Sequence, residues 1–440
     1  MGRRPRYPTS CQLFGVLEHG LHLGPARAVR AGYRSGVSAS VSAFGAAGAA
    51  LGYLAQVDYA LLAALERLDD EDDFAVSIET LDDIVFHDVG GDPTQKWQTK
   101  HTIDQTRSLS DASTDLWKTL HNWIAEPGEA RTRLVLLAVA PAGTTAALLR
   151  TGAERDVGAA KQRLERTARE SGNAAHAAYY AAFLALTPDE RRALLDRVEI
   201  VDGTVSVVDV PPLLERAVRK SARPERRSAL IDRLRGWWHK RTLVHLNAVA
   251  RGVQDRIGAE ELEHELLELA DELRDENLPI DVLDMTEPTA QEVEESDRIF
   301  VTQLRLVALG SQRMRRCIYD HNRAFAQRSR WQRDRLLEVG ELSRYDRELK
   351  EAWEGYFLPI GDGDDGQVDE NTLCRQARDR FVELDRSDLA PIRRDVREGW
   401  VARGSLHMIA DRLEIGWHPQ WLAHLRDRLG EARDDAGAAA

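Results

Sequence analysis

Strand-like patterning is concentrated in one stretch of this chain, and that confinement limits the folds open to it. In F-A-V-S-I-E-T-L, residues 74–81, Phe74, Val76 and Ile78 alternate with other positions, the period-two signature of a half-buried strand. D-D-I-V-F-H follows as a second strand, G-G-D-P at 90–93 as a turn, and T-Q-K-W-Q-T-K-H at 94–101 as a third strand. L-V-L-L-A-V-A at 134–140 is continuously apolar, which suits a central strand covered on both faces. Helical spacing brackets these runs: Leu54, Val57, Leu61, Leu62 and Leu65 repeat within 44–69, and S-D-A-S-T-D-L-W-K-T-L-H-N-W-I opens on N-cap residues. After about residue 150 the pattern turns helical, with one short hairpin expected in V-E-I-V-D-G-T-V-S-V-V-D at 198–209. The expected class is α+β: an α/β domain over 44–150, a helical middle region over 151–300, and a helical C-terminal module over 301–430. Residues 1–43, rich in Gly, Ser, Arg and Pro, are expected to form a poorly ordered extension.

Composition excludes several classes. With 43% hydrophobic and 30% charged residues over 440 positions, the chain reads as globular rather than disordered. No apolar run approaches the roughly 20 residues of a membrane-spanning helix. Cys11, Cys317 and Cys374 are odd in number and far apart, so no disulfide framework is expected, and a cytoplasmic location fits. The net charge of −13 argues against a generally basic nucleic-acid binder. Its distribution matters more: between Asp255 and Arg298 stand 17 acids and 3 arginines, so that segment holds the whole excess. The remainder is near neutral, and a nucleic-acid surface elsewhere is permitted. Leucines at helical spacing in A-E-E-L-E-H-E-L-L-E-L-A-D-E-L mark most of the acidic run as the solvated face of a helix. The Gly-rich loop with Asp362, Asp364 and Asp365 fails as a calcium loop, because Gly366 and Leu373 stand where ligands are required. The chain has no phosphate-binding G-x-x-x-x-G-K-[ST], so any ATPase would be a separate protein.

One constellation carries chemistry. Period-two geometry puts Gln98 and Lys100 on one face of their strand, with Trp97 and Thr99 on the other. An antiparallel pairing through the G-G-D-P turn would bring Asp82 or Asp83 alongside them. A carboxylate and an amide oxygen can hold Mg²⁺, and an adjacent ammonium can neutralise charge on a scissile phosphate. The bland alternative is that these acids are turn residues or salt-bridge partners, since a Q-x-K triplet is cheap. The similar Glu348-Leu349-Lys350 lies in a helical stretch with no acidic strand before it.

The run Gly52-Tyr53…Gln56…Tyr59, E-T-L-D-D-I, W-Q-T-K-H and L-S-D-A-S-T-D-L-W-K-T-L resembles the double-stranded-DNA endonuclease domain of antiphage effectors, within the PD-(D/E)xK superfamily. R-G-S-L-H-M-I-A-D-R-L-E-I-G-W-H-P-Q-W at 403–421 resembles the terminal motif of the nuclease component in ABC-three-component defence systems, relatives of Lamassu. R-L-R-G-W-W at 233–238 and R-A-F-A-Q-R-S-R-W at 323–331 are also similar. The resemblance implies a restriction-endonuclease-like N-terminal fold and a Mg²⁺- (or Mn²⁺-) dependent endonuclease. Asp83 would be the metal-binding acid, Gln98 would take the slot usually filled by Glu, and Lys100 would be the catalytic lysine. Glu79 and Asp82 would be additional ligands, and Gln56 a supporting polar residue. Implied partners are double-stranded DNA, an SMC-like ABC ATPase and a small middle component, with homo-oligomerisation on activation and no membrane. Trp417, His418 and Trp421 are expected to dock the partner, because aromatic anchors dominate interfaces. The rival reading is a non-catalytic DNA- or partner-binding subunit of the same kind of complex.

Overall fold

The computed structural model describes residues 41–71, 73–100, 108–360 and 369–425, which divide into a unit ending at Leu269 and one beginning at Ala270. The extension expected over 1–43 lies almost wholly outside the described residues, as do the loop around Asp362 and the position of His101.

The first unit is built on one six-stranded sheet of order β5-β4-β3-β2-β1-β6. Helix α1 (Val41–Leu68) leads into β1 (Ala75–Ile78), β2 (Ile84–His87) and β3 (Pro93–Lys100). These three pair antiparallel, the last two through a turn at which Gly91 takes a φ of 86° that a side chain would oppose. A crossover through α2 (Thr114–Ala125) returns the chain to β4 (Arg133–Ala138), which lies parallel to β3 with Gln98 beside Leu136. β4 is buried along nearly its whole length, as its unbroken apolar run requires.

Strand parity separates the two faces. Phe86 and Trp97 stack at 5.5 Å on one, with the Arg67 guanidinium of α1 4.6 Å over the Phe86 ring. Leu134 and Leu136 point the other way, into a core shared with Leu116, Trp117 and Leu120 of α2. Behind α2 stand α3 (Val157–Glu170), α4 (Ala177–Ala185) and α5 (Pro188–Arg197), with Trp117 edge-on to Tyr180 at 4.7 Å.

The sheet draws on residues well past 150. β5 (Val198–Val201) adds parallel to β4, so the hairpin expected at 198–209 does not form among the described residues. Asp202 explains why: instead of turning a hairpin it takes two hydrogen bonds of 2.7 Å from Arg150 and one of 2.6 Å from the Ala142 amide. α6 (Arg227–Ala250) then crosses to the far edge, where the two-residue β6 (Ile257–Gly258) pairs with β1. α7 (Ala259–Glu272) buries Ala259, Leu262, Leu266 and Leu269 and turns its glutamates outward, so this part of the acidic run is an amphipathic helix face.

The second unit is helical: α8 (Ile299–Leu306), α9 (Ser311–Arg333), α10 (Glu341–Phe357), α11 (Glu370–Arg386) and α12 (Gly399–Asp411). α9 and α12 touch backbone to backbone at Gly404, where any side chain would collide with the Asp320 carbonyl and Ala324. Arg403 donates to Asp320 at 2.8 Å beside that crossing.

Candidate active site

β1 ends at Ile78, and Glu79 turns the chain in the left-handed region with a φ of 53°. A non-glycine residue there costs about 1–3 kcal/mol, so the turn has to be held from outside. Two contacts hold it: the Glu79 amide donates to the Asp83 carbonyl at 3.1 Å, and the Ile78 amide donates to His245 Nε2 of α6 at 3.1 Å. The held turn brings the carboxylates of Glu79, Asp82 and Asp83 into one cleft of about 400 Å³ with Gln98, Asn122 and Trp123.

Each carboxylate is fixed differently. The β2–β3 ladder stops at Ile84–Trp97, and the Asp83 side chain supplies the next rung. Its Oδ2 accepts from the Thr99 amide at 2.7 Å and the Thr99 hydroxyl at 2.9 Å, while the residue also lines the cleft. Asp82 accepts from Trp123 Nε1 at 2.8 Å through Oδ2 and from the Asp83 amide at 3.1 Å through Oδ1. Burial, with the Asp83 charge adding to it, pushes the Asp82 carboxyl up to about 6. Glu79 is also raised, first by burial and then by Asp83, against a hydrogen bond from Gln56.

From the sheet, Gln98 presents an Oε1 that accepts from Asn122 Nδ2 at 3.3 Å. Lys100 stands beside the cleft wall. Burial lowers its ammonium below the usual lysine range, while Asp83 and Asp115 pull it back. Of the six residues singled out from the sequence, Glu79, Asp82, Asp83 and Gln98 line the cleft, while Gln56 reaches it through its hydrogen bond to Glu79 and Lys100 through its electrostatic interaction with Asp83.

Sequence reasoning missed three more. Lys96 shares the face of Gln98 and Lys100, is almost fully buried, and donates to the Glu126 carbonyl at 3.3 Å at the end of α2. Strand parity alone could have flagged it. Asn122 and Trp123 had no signal beyond membership of an amphipathic helix, because their partners, Gln98 on β3 and Asp82 in the turn before β2, are distant in sequence.

Glu79, Asp83 and Gln98, whose side chains carry oxygen donors, all line the cleft. Such a set suits a hard divalent cation. Crowded acids whose proton affinity rises are the electrostatic situation a cation relieves, so these residues fit Mg²⁺ or Mn²⁺.

The second unit reverses one expectation. Trp417, His418 and Trp421 are 1%, 1% and 8% exposed and so form no free docking surface. The Trp417 ring packs against Phe381 at 5.0 Å, His407 at 5.4 Å and Phe357 at 5.7 Å, and its amide donates to the buried Gln303. Aromatic residues at a chain terminus serve a core as readily as an interface, and here the core claims them.

Residues 300–425, which include this packed motif, match the family model described as C-terminal domain 7 of the ABC-three component (ABC-3C) systems. That match relates residues 300–425 to the C-terminal domains of ABC-three-component systems. No curated protein and no solved structure matches the chain. The cleft of the first unit lies outside the matched CTD7 residues. Among the described residues no helix is long and apolar enough to cross a membrane.

Proposed function

We propose that the protein is the nuclease effector of an ABC-three-component antiphage defence system and hydrolyses phosphodiester bonds of double-stranded DNA with Mg²⁺ or Mn²⁺. The single observation that carries this reading is that Asp83 and Gln98 line one cleft, with Asp83 tied to β3 through Thr99 and Lys100 of the same strand within electrostatic reach of Asp83.

Asp83 and Gln98 would hold the ion, with Glu79 and Asp82 in support. When bound, a divalent cation lowers the pKa of a water ligand and stabilises charge on the phosphate. The remaining work falls to the chain. Lys100 places a positive charge where negative charge builds on the phosphate oxygens, in surroundings dry enough to strengthen it. Asn122 holds the Gln98 amide so that its oxygen points inward. Trp123 keeps Asp82 in place. Partners implied by such a system, an SMC-like ATPase and a small middle component, would supply the trigger.

The rival reading, a non-catalytic binding subunit, draws on the structural use of Asp83 Oδ2 and both Asp82 oxygens. One experiment separates the two. The chain co-expressed with its genetic neighbours should degrade linear duplex DNA in Mg²⁺. Lys100→Ala should abolish cleavage with DNA binding and melting temperature retained. Undiminished cleavage by Lys100→Ala, or no cleavage by the activated wild-type complex, removes the enzyme reading.

A further inference from the structure

A second cluster of donor atoms lies in the helical unit, far from any acidic strand. Glu370 opens α11, and His418 and His424 follow the turn after α12; one donor atom from each lies within 4.8 Å of the others. Glu370 Oε1 stands 3.4 Å from His418 Nε2 and 2.9 Å from His424 Nε2. Both nitrogens are buried, yet neither is aligned with a hydrogen-bond partner. His418 itself is 1% exposed, so its Nε2 is an unpartnered polar atom aimed into the cluster. Leaving such an atom unpaired carries the desolvation cost of a buried polar group.

Coordination would satisfy it. Two imidazole nitrogens and a carboxylate oxygen at about 2.0–2.2 Å from a tetrahedral ion are about 3.3 Å apart, close to the separations observed. We propose that Glu370, His418 and His424 form a binding site for a zinc-type divalent cation, with the fourth position open to solvent. The ion would clasp the last described turn of the chain to the first turn of α11.

The state of the rings bears on this. The Gln420 amide donates to His418 Nδ1 at 3.2 Å. Coordination through Nε2 moves the ring proton to Nδ1, so this contact opens on binding, and the exposed Gln420 amide turns to water. The mixed nitrogen and oxygen donors select a borderline ion over Mg²⁺, which sets this cluster apart from the all-oxygen cleft. The inference does not depend on the nuclease reading.

The test uses the full-length chain carrying Asp83→Asn, which weakens the cleft as a competing metal site. After treatment with a chelator it is titrated with ZnCl₂ against a chromophoric competitor, and thermal unfolding is followed with and without the metal. One Zn²⁺ per chain should bind, and it should raise the melting temperature of the helical unit. His418→Ala risks misfolding because its ring is buried, so the deciding variants are His424→Ala and Glu370→Gln. Each should weaken binding by at least about tenfold, the loss seen even for outer-shell partners. Absence of Zn²⁺ binding, or equal binding by the folded His424→Ala and Glu370→Gln proteins, overturns the site and leaves a plain ion-pair cluster.

Discussion

Two substitutions at Asp83 separate architecture from chemistry. Asp83 Oδ2 takes two short hydrogen bonds from Thr99, and Oδ1 is the oxygen we assign to the ion. Asp83→Ala removes both functions. It strands the Thr99 amide beyond the end of the β2–β3 ladder, and hydrogen bonds to a charged acceptor contribute about 1.5–3 kcal/mol each. Sharing and partial exposure reduce the sum, so a loss of about 2–4 kcal/mol is expected, or about 4–16 °C in melting temperature for a unit of this size. Asp83→Asn behaves differently. Its carbonyl oxygen can occupy the Oδ2 position and keep both Thr99 donors, so the melting temperature should fall by less than about 4 °C. Its amide nitrogen then occupies the Oδ1 position, which removes a cation ligand. Thermal unfolding followed by circular dichroism, beside a plasmid-cleavage assay of the activated complex, reads both quantities. Cleavage should vanish in both variants, with stability lost mainly in the alanine. An Asp83→Asn protein that still cuts would refute the role given to Oδ1, and an Asp83→Ala protein as stable as wild type would refute the Thr99 latch.

Three further outcomes are expected. Burial, against Arg216 and with Asp69, raises Glu66 from 4.5 to about 8. The folded state therefore holds this proton more tightly than the unfolded chain does. The resulting penalty is absent below pH 4.5, reaches at most about 3 kcal/mol at pH 7, and levels off above pH 8. Glu66→Gln should raise the melting temperature at pH 7–8 and leave it unchanged near pH 4.5; a gain independent of pH would contradict the burial of the charge. Trp417→Ala should cost about 3–5 kcal/mol as a core truncation, read by urea unfolding, and an unchanged midpoint would restore the docking role. Asn122→Ala should slow cleavage by about tenfold or more with the melting temperature nearly unchanged; full activity would show that Gln98 needs no orienting partner.

What could be read from the sequence was what local chemistry determines. Alternation in 74–86, the glycine turn at Gly91 and parity in T-Q-K-W-Q-T-K located β1 to β3 and put Gln98 and Lys100 on one face. β6 was hidden because two residues carry no period, and β5 was read as one arm of a hairpin because its parallel pairing with β4 comes from a strand far away in the chain. The D-G at 202–203 has hairpin chemistry, but Arg150 recruits Asp202 to a different task. Asn122 and Trp123 entered the cleft by tertiary packing, which no spacing announces. The Trp417 motif failed for a related reason: aromatic content measures the capacity to bury surface, and the rest of the fold decides whether a partner or the chain itself is the occupant.

The outer edge of β1 has a consequence for synthesis. Its backbone is closed by Ile257–Gly258, and the Ile78 amide by His245, both made long after the strand. At a translation rate of about 5–20 residues per second, about ten to forty seconds pass between the emergence of the strand and of its cover. During that interval β1 is an open edge, and the Glu79 turn lacks the contact from His245. A nascent or truncated chain thus carries the acids of the cleft without the support that orients them. Completion of the cleft is tied to completion of the whole first unit, so a chain cut short before residue 245 leaves an open sheet edge and an unsupported Glu79 turn.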